Sequence, residues 1–135
     1  MEDRDTDLTP AAARWLLVAT TAFVALGALP VGVAFVTHPD GSTLGMPVSL
    51  LLGTPFRDFA IPGAVLAVVV GGSHVAAAVL LGLGREVGWR AALVAGAVLA
   101  GWILVQVWLI GYLSWLQPFM GAIAAFELGV ARRRR

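Results

Sequence analysis

Residues 39–63 read PDGSTLGMPVSLLLGTPFRDFAIPG, and this stretch decides the fold. Pro39, Pro47, Pro55 and Pro62 punctuate it, together with Gly41, Gly45, Gly53 and Gly63. It is the one long interruption in an otherwise apolar sequence. Asp40-Gly41-Ser42 is turn chemistry: glycine permits a left-handed backbone, and Asp and Ser bond neighbouring amides. Pro47 opens and Gly53 closes a leucine-rich run too short to cross a bilayer. Thr54-Pro55 repeats the cap-then-proline signal. Leu50, Leu51, Leu52, Phe56 and Phe59 are too apolar for a solvated linker. The expectation is that residues 47–53 and 54–58 are helical turns folded over the mouth of a helix bundle. They would enclose a pocket under residues 45–47, open toward Gln106 and Tyr112, with Arg57 or Asp58 at its rim.

On either side the sequence is apolar without a polar stripe. Of the 135 residues 59% are hydrophobic and 13% charged, with mean hydropathy +0.89. A soluble domain averages about 45–50% and about 25%, so lipid must cover this chain. At ~20 residues per crossing, four spans fit: about 11–36, 61–83, 90–112 and 115–131, with 37–60 as the loop. The predicted fold is all-α, a four-transmembrane-helix bundle in one domain. Thr9 and Pro10 form the first helix start, and Pro30 interrupts the far end of span 1. The acidic opening, MEDRDTDLT, lacks the basic n-region of a signal peptide, so span 1 is expected to be retained. Small residues are expected to form packing seams: Gly71, Gly72 and Ala76 in span 2, Gly96 and Gly101 in span 3, Gly121, Ala125 and Gly129 in span 4.

All nine basic residues are arginine. With four spans, Arg4, Arg14, Arg85, Arg90, Arg132, Arg133, Arg134 and Arg135 share one side, and Arg57 stands on the other. The positive-inside rule then places both termini in the cytoplasm of a bacterial plasma-membrane protein and the loop outside. Trp15 and Trp89 are expected at the inner surface, Tyr112 and Trp115 at the outer. The terminal arginines suit anionic lipid head groups rather than nucleic acid.

The chain has no cysteine and two histidines, so neither a thiolate nor a His-only metal site is expected. No catalytic, nucleotide or cofactor motif occurs, and no cofactor is expected. What remains is polar groups inside apolar spans, which are functional candidates by default. His74 reads either as a proton-relay or ligand-binding imidazole, or as a neutral histidine bonded across a helix interface. Gln106, on one face with Trp102, either lines an outward cavity or bonds a neighbouring helix. Glu127 is expected either to reach the inner interface or to pair with Arg14, Arg90 or the terminal arginines. A depth about 8 Å from that of His74 argues against a direct bond between those two and leaves a water bridge open. Arg57 is an anion or head-group candidate, and Asp58 a cap for span 2.

Gly41-Ser42, Leu44-Gly45-Met46-Pro47, Thr54-Pro55-Phe56-Arg57-Asp58 and Ile61-Pro62-Gly63, with Gln106 and Leu116-Gln117, resemble a group of small four-span bacterial membrane proteins of unassigned function. The resemblance covers the chain from the end of span 1 onward and implies a fold but no activity. Three functions stay open. The leading one is a non-catalytic accessory, binding or assembly subunit that uses the loop, alone, as a homo-oligomer or with a membrane-protein partner. The second is an oligomeric transporter or channel subunit using His74, Gln106 and Glu127. The third is a membrane enzyme acting on lipid or isoprenoid substrates through Asp40 or Asp58 with Arg57.

Overall fold

In a computed structural model the chain is all-helical. The structure describes residues 9–134; the acidic opening with Arg4, and Arg135, lie outside it, as does the side chain of Arg134. Four helices follow one another: α1 (Pro10–Thr37), α2 (Ala60–Gly82), α3 (Val87–Ile110) and α4 (Leu116–Arg134). The first three are long and apolar enough to cross a membrane. α4 is not among them, because Glu127, Arg132 and Arg133 crowd its apolar run.

α1 begins as its sequence dictates. The Thr9 hydroxyl accepts the Ala12 N–H at 3.1 Å and Pro10 occupies the first turn. The helix continues through Pro30 to Thr37. α2 is irregular: Ala60–Val65 is α-helical, Leu66–Gly71 widens into a π turn, and Gly72–Gly82 is α-helical again. A π turn accommodates an extra residue within a helix and is common at functional sites.

The segment between α1 and α2 holds two 3₁₀ turns, Ser42–Leu44 and Val48–Leu51. Gly41 has φ 78°, and a Cβ there would strike the Met46 carbonyl, so this turn requires glycine. The Asp40 carboxylate accepts the Ser42 N–H at 3.0 Å. A bond from Phe59 N–H to the Pro39 carbonyl, at 2.9 Å, closes the segment on itself. Phe35, Leu51 and Phe59 form its buried cluster, with Phe35 and Phe59 stacked 4.7 Å apart. Residues 54–58 do not form the expected helical turn. The Thr54 hydroxyl instead donates to the Leu51 carbonyl at 2.6 Å and accepts the Phe56 N–H, a side-chain turn that competes with helix.

α1 packs on α2, α2 on α3 and α3 on α4; α4 meets α1 less extensively, and α1 barely touches α3. Two further apolar clusters lie along these contacts. One, toward the termini, contains Ala13, Leu17, Ala77, Leu81, Trp89 and Ala131. The other, midway, contains Val24, Ala28, Val70, Leu99 and Ala124. Trp89 is therefore a core residue of the bundle, while Trp15, Tyr112 and Trp115 are exposed.

The glycine seams differ from expectation. α1 and α2 touch at Gly32 and Gly63, where a Cβ on Gly63 would lie 2.5 Å from that of Phe35. Gly71 seats Leu29, and Gly96 seats Glu127 and Leu128. Gly72, Gly101, Gly121 and Gly129 face open space, so the proposed seams at those positions do not pack within the chain. Each helix is apolar on all sides, so composition could not distinguish inward from outward small residues.

Candidate functional site

The π turn ends at Gly71, one turn before a fully buried polar pair. His74 and Glu127 are fully buried, and His74 Nε2 lies 3.0 Å from Glu127 Oε1. The other ring nitrogen, Nδ1, lies 2.7 Å from the Val70 carbonyl. A carbonyl only accepts, so Nδ1 carries a proton and donates it. A second proton must then lie between Nε2 and Oε1. The pair is either imidazolium with carboxylate or imidazole with carboxylic acid, and its net charge is zero in both forms. Burying a net-neutral, hydrogen-bonded pair costs far less than burying a lone carboxylate. Glu127 Oε2 has no hydrogen-bond partner in this layer.

This direct bond corrects two expectations. Glu127 does not pair with an arginine among the described residues. The depth estimate failed because α4 extends past Ala131 to Arg134. His74 lies eight residues before the end of α2 at Gly82, and Glu127 seven before Arg134. At ~1.5 Å per residue the two are nearly level. Gly96, opposite Glu127, leaves room for α4 to approach α3.

Above this layer, toward the loop, lie two cavities of about 390 and 530 Å³. The first runs between α2, α3 and the loop, past Phe56, Phe59, Val69 and Gly101. The second runs between α1, α3 and α4, past Phe23, Gly27, Leu99 and Met120. Phe35, Met46, Val70, Trp102 and Gln106 line both, so these five side chains form the wall between them. Among the described residues no charged side chain lines either cavity. The polar members are Thr54 in the first, Ser114 and Gln117 in the second, and Gln106 in both. Val70 thus touches both cavities with its side chain and His74 with its carbonyl. His74 and Glu127 line neither cavity.

Gln106 lines both cavities, and its carbonyl accepts from Gln117 Nε2 at 3.4 Å. Gln117 is buried, accepts the Leu113 N–H at 2.7 Å and donates to the Gly111 carbonyl. It thereby ties down the 111–115 connection at the start of α4. Among the described residues Gln106 donates no hydrogen bond, which leaves its amide NH₂ available to the cavities. Trp102 joins Gln106 as expected. Tyr112 is exposed and does not line a cavity. Asp58 accepts the Ala60 N–H at 3.0 Å and caps α2, and Arg57 beside it is exposed. Asp40 is held by Ser42, so the loop carboxylates do not converge with Arg57 on either cavity.

Sequence reasoning named Gln117 only within the family resemblance, without its bonds, and missed Val70 and Thr21. A glutamine just inside a helix start is a recognisable signal, since it reaches back to free amides. Thr21, a polar residue within an apolar span, is fully buried and spends its hydroxyl on the Leu17 carbonyl. No protein-family model, no curated protein and no solved structure matches the chain.

Proposed function

We propose that this is a four-span bacterial plasma-membrane protein with cytoplasmic termini and an ordered outer loop. In this reading it acts as a non-catalytic binding subunit that holds an apolar chain under that loop. The carrying observation is the pair of cavities sharing the Trp102–Gln106 wall, with apolar linings and no titratable side chain in either. Sites of a few hundred Å³ lined by apolar groups and a few fixed polar ones are typical of small-ligand binding. An enzyme would need titratable groups converging on the cavity, and a transporter would need a wet path to His74.

The His74–Glu127 pair supports a crossing by α4, because it removes the net charge of Glu127 from hydrocarbon. Leu116 to Ala131 spans only about 24 Å, and the following arginines can extend to the head groups. The test has two parts. A reporter active only outside the cytoplasm should work when inserted at residues 40–44 and fail at Glu86; the reverse result sinks the orientation. Protein extracted from its native membrane in mild detergent should carry a bound apolar-chain molecule in native mass spectrometry. A bare chain would refute the binding reading.

A further inference from the structure

The two cavities share one wall, and this arrangement narrows the class of ligand. We infer that they hold one two-chain anionic phospholipid, with one acyl chain in each cavity and the glycerol ester region at Gln106. This rests on the binding function proposed above and specifies its ligand.

Volume is the first argument. The cavities, about 390 and 530 Å³, each fall in the few-hundred-Å³ range that holds an apolar ligand segment, and their apolar linings suit one acyl chain apiece. The second argument is adjacency. Phe35, Met46, Val70, Trp102 and Gln106 line both cavities, so one molecule with two chains can reach both past these residues. The third is hydrogen bonding. The Gln106 amide has donors without partners, and an ester carbonyl is acceptor-only, so it matches where a second amide or a hydroxyl is not required. The fourth is charge complementarity. The cavities have no charge, while exposed Arg57 follows Phe56, which lines the first cavity. Asp40 and Asp58 are each occupied by a backbone N–H. Arg57 is thus the arginine at this end of the helices, suited to a phosphate head group.

Gly27 and Gly101 give a direct test. Gly27 lines only the second cavity and Gly101 only the first, and a Cβ on either meets open space. Gly27→Phe and Gly101→Phe should therefore each fill one cavity without disturbing the helices. The probes are phosphatidylglycerol, its single-chain lyso form and zwitterionic phosphatidylcholine, titrated into the delipidated full chain in nonionic micelles. Native mass spectrometry reads the bound count, and thermal protection reads affinity. Wild type should bind one phosphatidylglycerol. Either filling variant should weaken it at least tenfold while weakening the lyso form much less. Arg57→Gln should remove the preference over phosphatidylcholine. Two lipids on wild type, with each variant losing one, would overturn the two-chain assignment and leave the binding function standing. Equal affinity for the lyso form would do the same. Loss of preference for the anionic head in wild type would overturn the Arg57 contact. No binding of any of the three probes would overturn both readings.

Discussion

Removing either partner of the His74–Glu127 pair should destabilise the protein, and removing both should restore part of the loss. Glu127→Leu leaves His74 with its bond to Val70 intact and one unpartnered nitrogen, Nε2. His74→Leu leaves Glu127 with two unpartnered oxygens, because Oε2 already has none. An orphaned buried polar group costs about 1–3 kcal/mol, so His74→Leu should be the more damaging of the two. Bonds between membrane helices average about 0.6 and reach about 1.7 kcal/mol, since side chains freed in the membrane find other partners. Here both groups are fully buried and Nδ1 is already held by Val70, so few alternatives exist. The expected coupling is about 1.5 kcal/mol, near the top of that range. The double variant His74→Leu/Glu127→Leu should be more stable than His74→Leu alone. Reversible unfolding in mixed micelles, followed by the fluorescence of buried Trp89, measures all four corners of the cycle. Additive losses would mean that the two side chains do not depend on each other, and would refute the proton-sharing geometry.

Two further predictions concern the helix contacts and the loop. Gly63→Ala should destabilise by about 1–3 kcal/mol through overpacking, because its Cβ would lie 2.5 Å from that of Phe35. Gly72→Ala, facing open space, should be neutral or gain up to ~1 kcal/mol of helix propensity, and equal losses at the two sites would show that the α1–α2 contact is misplaced. The hydroxyl and N–H of Ser42 hold the Asp40 carboxyl below its ordinary value of 3.8. Its stabilisation of the Ser42–Leu44 turn is therefore present above pH 3.8 and lost as pH falls through the lower, folded value. The Ser42 amide resonance should titrate with a midpoint below 3.8 and stay fixed in Asp40→Asn; a midpoint at or above 3.8 would contradict the bond.

The helices were legible because hydropathy and proline–glycine punctuation act over many residues. The first three appear within a few residues of their expected limits. The π turn was not legible, because LAVVVG carries no proline and its one glycine, Gly71, is not distinguished from the other glycines along these helices. The polar candidates His74, Glu127, Trp102 and Gln106 were visible as polar or aromatic interruptions of apolar runs. Their partners were not, because pairing depends on register, and the arginine run concealed where α4 ends. The inward or outward direction of each glycine was likewise hidden in helices that are apolar all round.

The order of His74 and Glu127 along the chain bears on how the protein is made. His74 precedes its partner by 53 residues. During synthesis the base-bearing α2 therefore leaves the ribosome well before the acid-bearing α4. In the four-span reading proposed above, α4 would arrive to find its counter-group already in place, whereas a helix carrying an unneutralised glutamate enters a bilayer poorly. Insertion of the last helix would then be conditional on the second. A chain truncated or misthreaded at α2 would leave α4 stranded at the membrane surface, where quality-control proteases can reach it.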